Sequence, residues 1–254
     1  MRYGIDFTIN KNGTLEFAEN IKAPRPAIRK FKDAAKVLYP YQKVEPDKTP
    51  IYYMYRGVYR QGDEQVFREN NIRHDITVLL PGFMGQEYIK TVGHFHPKKP
   101  GSEETYPEYY EVLYGEALYL FQKNTPDGDV EETFIVTARQ GDKVYIDPGY
   151  GHVSINPGTT HLVMANLVAD TFKSDYKPIE RKKGAAYFYI KNNLGEHEFV
   201  PNPNYKNYPE LKLIPAEEKD QPIEIPEGKT LYKAFLEDPQ KFSFLKEKKI
   251  KKPG

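Results

Sequence analysis

The segment Thr91-Val92-Gly93-His94-Phe95-His96-Pro97 carries the most concentrated chemistry in this chain. On an extended strand, residues two apart project to the same face. His94 and His96 then point one way and Phe95 the other. Two imidazoles so placed can chelate one divalent ion; the plainer reading is two polar histidines near a strand end. Further ligands stand downstream: Glu108 opens an aromatic run, and His152 follows Pro148-Gly149-Tyr150-Gly151. Three neutral imidazoles and a carboxylate make a mixed nitrogen–oxygen site. Such a set suits iron(II), manganese, nickel, cobalt or zinc and leaves positions open for substrate. Spacing alone leaves the convergence of the four open. Taken singly, Glu108 reads as a surface carboxylate and His152 as a loop histidine.

The elements that must position these residues read as short strands. Ile51-Tyr52-Tyr53-Met54-Tyr55 is aromatic and strand-like, and Asp75-Ile76-Thr77-Val78-Leu79-Leu80 ends at the turn signal Pro81-Gly82. Further strand-like runs cover residues 109–113, 117–122, 134–137, 143–146, 161–168 and 185–190, most of them closed by Gly or Pro. Such spacing predicts an all-β sandwich or barrel. Helix-period segments do not alternate with these runs, which argues against an α/β barrel or doubly wound sheet. No repeat of fixed period stands out. Residues 27–38 are predicted as one short surface helix, from Ile28, Phe31, Ala34, Ala35 and Leu38 at helical spacing. Two more short helices are expected over 229–236 and 239–246. The division expected is an N-terminal extension over 1–50, a barrel over 51–195 and a C-terminal extension over 196–254.

Composition narrows the function classes. The chain has 254 residues, with 37 Lys and Arg against 36 Asp and Glu, and this balance argues against a general nucleic-acid binder. It has no Cys, so a thiolate metal site, a disulfide and a cysteine nucleophile are all excluded. A mean hydropathy of −0.73 and the lack of a long apolar run argue against a membrane span. The first residues, Met1-Arg2-Tyr3-Gly4-Ile5-Asp6, lack the apolar stretch of a secretory signal, and a cytoplasmic protein is expected. The terminal lysines Lys246, Lys248, Lys249, Lys251 and Lys252 read as a solvated end.

The ordered motifs resemble those of the cupins. His94-x-His96, then Glu108 and six residues to Gly115, resembles the first cupin motif; Gly141, Pro148, His152 and Asn156 resemble the second. Within that superfamily, Thr91-Val92-Gly93-His94-Phe95-His96 and Val144-Tyr145-Ile146-Asp147-Pro148 resemble the cupin-type glucose-6-phosphate isomerases. The likeness spans roughly residues 50–190.

The resemblance implies an antiparallel, jelly-roll-like β-barrel, often a homodimer, holding one divalent metal ion. It implies His94, His96, Glu108 and His152 as metal ligands. Thr77, Thr91 and the backbone of Gly93 fall where the family binds sugar phosphate, and Tyr110 where it has a sugar-contacting tyrosine. Glu108 is then also the candidate base. The implied reaction is the interconversion of glucose 6-phosphate and fructose 6-phosphate, a step of glycolysis and gluconeogenesis. Val92 and Val168 depart from the lysine and tyrosine that some members carry there. An iron(II) cupin dioxygenase and a non-catalytic sugar-binding cupin are the competing readings.

The remaining ionisable residues are expected to be structural. His161 reads as a core or edge residue, His74 beside Asp75 as a surface pair, and His197 as solvated. Arg73, Lys90, Lys98 and Lys99 could attract phosphate to the pocket mouth.

Overall fold

The computed structural model describes residues 4–40 and 47–246. The expectations for Met1–Tyr3 and for the lysines beyond Lys246 lie outside that range.

Two large sheets build the all-β body. A six-stranded antiparallel sheet runs in the order Lys143–Ile146, Glu108–Tyr114, Leu162–Ala169, Ile72–Leu79, Pro50–Arg56, Ala27–Lys30. A four-stranded sheet runs Tyr150–Ile155, Glu116–Asn124, Val130–Arg139, Lys212–Pro215, the last strand joining in parallel. Leu79, Val112, Ile146 and Met164 of the first sheet share one buried cluster with Tyr119, Phe121 and Val153 of the second. The strands form separate hydrogen-bonded sheets, so the architecture is jelly-roll-like and not a closed barrel.

The six-stranded sheet has apolar residues on both faces. In Leu162–Ala169 every position is buried. Leu162 and Met164 join the inner cluster, whereas Val163, Ala165 and Leu167 join a second cluster on the outer face. The C-terminal segment closes that outer face. Its helix Leu231–Glu237 and 3-10 helix Pro239–Leu245 bury Leu231, Phe235, Phe242 and Leu245 against Tyr53, Ile76, Tyr109 and Val163. Phe67 stacks on Phe235 with ring centroids 4.6 Å apart. The tail therefore wraps the body, held by burial of large aromatic surfaces.

The single helix expected over 27–38 is corrected. Ala27–Lys30 is a strand that pairs with Pro50–Arg56 at the sheet edge. Only Phe31–Val37 is helical, as a 3-10 helix that buries Phe31, Ala34 and Val37. That three-residue spacing suits a 3-10 turn, where residues i and i+3 eclipse. Sheet pairing overrides the local helical pattern before Phe31.

Candidate metal and sugar-phosphate pocket

Alternation along four neighbouring strands places the site. On Glu108–Tyr114, Glu108, Tyr110 and Val112 face inward, while Tyr109, Glu111 and Leu113 face the outer cluster. On Ile72–Leu79, Arg73, Asp75 and Thr77 face inward. Glu108, Tyr110, Arg73, Asp75 and Thr77 line a cavity of about 430 Å³, completed in part by residues 91–94, His96, residues 172–174 and Tyr176.

Residues 91–97 do not form the continuous strand expected. They make isolated bridges, His94 to His152 and Phe95 to Asp175. Gly93, at φ +81, provides the bend that a side chain would resist, and an added Cβ would lie 2.5 Å from Val153 Cγ2. His152 lies on the strand Tyr150–Ile155 and is buried, which sets aside the plainer reading of a loop histidine.

The structure brings His94, His96, Glu108 and His152 together, with one ligand atom from each lying within 4.8 Å of the others. His94 Nε2 is 3.1 Å from His96 Nε2, and Glu108 Oε2 is 3.3 Å from Nε2 of both His96 and His152. Glu108 Oε2 makes no well-aligned hydrogen bond, so these approaches are electrostatic contacts. Such spacings between nitrogen and oxygen donors fit ligands gathered around one small cation. His96 Nδ1 is 2.9 Å from the Tyr106 carbonyl. As the N–H donor in that bond, it leaves the Nε2 lone pair facing the cluster, the second-shell pattern of a metal-ligating histidine.

The electrostatics agree with that donor set. Burial, followed by the neighbouring His152 and His96, pushes the His94 imidazole well below its usual range, so it is neutral. Burial also lowers His152, against the pull of Glu108. For Glu108, burial raises the carboxyl, but close His152 and His96 outweigh it and hold the group well below the usual carboxylate range. With His94 and His152 held neutral beside an ionised carboxylate, the cluster offers available donors.

Thr77, Thr91, Gly93 and Tyr110 all line the same cavity. Thr91 Oγ1 accepts the Ser154 N–H at 3.0 Å, which leaves its own hydrogen free to donate. The Tyr110 hydroxyl lies 3.4 Å from His152 Nε2. Burial and then Glu108 push its pKa well above 10, so it stays protonated.

Several expectations for the other charged residues are corrected. His74 and Asp75 are buried, not a surface pair. His74 faces the outer cluster with Nδ1 2.9 Å from the Val58 carbonyl, and burial lowers its pKa to about 4. Lys90 is buried 2.7 Å from Glu87, and Lys99 is buried with its ammonium 3.2 Å from the Phe244 carbonyl, so neither stands at the mouth. Lys98 pairs with Glu103. Arg73 does line the cavity. His161 is half-exposed and packs near Gly13; the His197 ring nitrogen contacts the Tyr88 hydroxyl.

The sequence reading missed Tyr52, Arg56, Asn166, Lys173 and Tyr176 in the lining. The inward alternation of the strands carries a signal for Arg56 and Asn166. Nothing local marks Lys173 or Tyr176, which reach the cavity from a loop and its edge.

A family model described as glucose-6-phosphate isomerase (GPI) matches residues 28–206. The chain is 32% identical over 144 residues to the glucose-6-phosphate isomerase of Pyrococcus horikoshii, covering 57% of this chain and 70% of that one. It is 31% identical over 163 residues to the glucose-6-phosphate isomerase of Pyrococcus furiosus, covering 64% and 77%. Among solved structures, a mutant oxalate decarboxylase of Bacillus subtilis aligns with a TM-score of 0.35 and 19% identity, over 52% of this chain and 29% of that one.

Proposed function

The chain belongs to the glucose-6-phosphate isomerase family, and on that premise we propose that it is a metal-dependent aldose–ketose isomerase interconverting glucose 6-phosphate and fructose 6-phosphate. The observation that carries the metal-dependent reading is the meeting of His94, His96, Glu108 and His152 in one cluster, at a cavity that His94, His96 and Glu108 line together with Thr77, Thr91, Gly93 and Tyr110.

His94, His96, Glu108 and His152 would hold one divalent ion: iron, manganese, nickel, cobalt or zinc. When bound, such an ion supplies Lewis-acid polarisation of a sugar oxygen. The reaction moves hydrogen between carbon 2 and carbon 1 of the open-chain sugar. Glu108 is the ionised carboxylate nearest this end and the candidate base for that proton. Its role as ligand competes with its role as base, because a cation withdraws charge from the carboxylate. Tyr110, kept protonated, donates to a sugar hydroxyl. Thr77 and Thr91 hold the phosphate with their hydroxyls. The Gly93 N–H is buried and without a hydrogen-bond acceptor among the described residues, and a phosphate oxygen would satisfy it.

A homodimer and a cytoplasmic setting belong to the same reading; sedimentation of the purified protein tests the first. The test of function is a coupled assay of fructose 6-phosphate formation by protein loaded separately with each of the five metals. Turnover that disappears on chelation and returns with metal supports the reading. No turnover with any metal rejects it, and oxygen uptake in its place would favour a dioxygenase.

A further inference from the structure

Strand register lays the cavity floor out as rows. Arg56, Asp75, Asn166 and Tyr110 are cross-strand neighbours on four successive strands: Arg56 opposite Asp75, Asp75 opposite Asn166, Asn166 opposite Tyr110. All four face the cavity. Neighbouring strands lie about 4.8 Å apart, so the row runs about 14 Å between its end Cα atoms. The next row holds Arg73, Val168 and Glu108. Tyr110 and Glu108 therefore mark one end of the floor and Arg56 the other.

Asp75 is already saturated. Its Oδ1 accepts from Arg73 Nε at 2.8 Å and from the Gly57 N–H at 2.9 Å, and its Oδ2 takes Arg56 Nη1 at 3.2 Å. Arg73 is further tied to Asp170. Arg56 is different. Its side chain is 48% exposed, and its ion pairing rests on the one 3.2 Å contact to Asp75. Its Nη2 also reaches the Met54 sulfur, a weak acceptor, at 3.6 Å, so the fork keeps donor capacity for an anion over the cavity while Asp75 holds its direction. Asn166 is 4% exposed and lines the cavity, yet its amide makes no hydrogen bond to the described residues. Its amide therefore opens onto the cavity with its donor and acceptor both available to a ligand hydroxyl.

We propose that this row reads the substrate, with Arg56 adding its guanidinium to the phosphate that Thr77, Thr91 and Gly93 hold in the same cavity, and Asn166 hydrogen-bonding a hydroxyl in the middle of the sugar chain. The assignment rests on the isomerase reading for the identity of the sugar, but not for the anion. A guanidinium fork matches a phosphate in two parallel hydrogen bonds. Asp75 acts through Arg56 as a positioning residue. The carbon chain then lies along the row, with its reacting end beside Tyr110 and Glu108.

Two variants test this, read by calorimetry with inorganic phosphate and by initial rates with glucose 6-phosphate. Metal content and far-ultraviolet circular dichroism serve as folding controls. Arg56→Gln is expected to weaken inorganic phosphate binding by about tenfold or more, and to raise KM by a similar factor with the loss falling on KM and not on kcat. Arg56→Lys should recover part of both, since charge returns without the fork. Asn166→Leu is expected to lower kcat/KM by about tenfold while phosphate affinity stays at the wild-type value. Asn166→Ser serves should the leucine variant fail to fold. Wild-type phosphate affinity in Arg56→Gln overturns the anion assignment, as does a wild type that binds no phosphate. Wild-type kcat/KM in both Asn166 variants overturns the hydroxyl assignment. If every metal-loaded form fails to turn over glucose 6-phosphate, yet Arg56→Gln still loses phosphate, the isomerase reading fails and the anion subsite stands.

Discussion

His94 and His152 face each other across an isolated antiparallel bridge, the His94 N–H donating to the His152 carbonyl at 3.3 Å and the His152 N–H to the His94 carbonyl at 3.0 Å. This bridge fixes two imidazoles, 58 positions apart in the chain, with ring centroids 4.5 Å apart. The site is thus built on paired backbone, and its ligands need little rearrangement to gather around an ion.

Removing one of these imidazoles should empty the site. His94→Ala and His152→Ala are each expected to lose bound metal and to cut isomerase activity on the order of 100-fold or more. Elemental analysis together with the coupled assay reads both. Full metal content and full activity in either variant would sink the ligand assignment.

Gly93 is placed where a side chain has no room. Gly93→Ala adds a Cβ 2.5 Å from Val153 Cγ2 at φ +81. The expected cost is about 1–3 kcal/mol from the backbone alone, and more once Val153 must move. A fall in melting temperature of about 5 °C or more should follow, together with weaker metal binding as His94 shifts. An unchanged melting curve would show that the bend tolerates a side chain.

Glu111 links pH to the docking of the tail. Its carboxylate accepts the Leu231 N–H at 2.7 Å and lies 3.6 Å from Lys143 Nζ, with Tyr109 also facing it. Burial raises its pKa from 4.5 to about 7, against the pull of Lys143 and the Leu231 N–H. The folded state therefore binds this proton more tightly than the unfolded chain. The stability contribution is complete below about pH 4.5 and is lost as pH rises through about 7, by up to about 3 kcal/mol. Buried His74, with its pKa near 4 against 6.5, acts in the opposite direction and gains stability as pH rises between those values. Glu111→Gln keeps an acceptor for Leu231 and removes the charge. The difference in denaturation midpoint between this variant and wild type should grow in the variant's favour from pH 5 to pH 8. A difference independent of pH would refute the assignment.

The tail should matter to stability even far from the chemistry. Phe235 is fully buried and stacked on Phe67. Phe235→Ala is expected to cost about 3–5 kcal/mol, read as a shift in denaturation midpoint. With metal ligands untouched, the folded fraction should keep its metal. A shift below about 1 kcal/mol would mean that the tail packs only loosely.

Much of the site was legible because its signals are local. His94-x-His96, Glu108 ahead of Gly115, and Pro148 ahead of His152 are short-range patterns, and the absence of Cys removes thiolates outright. Strand existence followed from apolar alternation and Gly or Pro stops, and Lys143–Ile146 has the expected bounds. Local pattern misled over residues 27–30, where pairing with Pro50–Arg56 overrode a helical period.

By itself, then, the sequence determined which residue types were available for chemistry and which face of each strand a residue occupies, since both depend on positions only a few residues apart. Only the tertiary structure decided which strands became neighbours. That choice put Arg56, Asp75, Asn166 and Tyr110 in one row, buried His74 on the opposite face, and withdrew Lys90 and Lys99 into ion pairs or carbonyl contacts. Strand order and register are set by the burial of both faces of the six-stranded sheet at once, and that is a property of the whole chain.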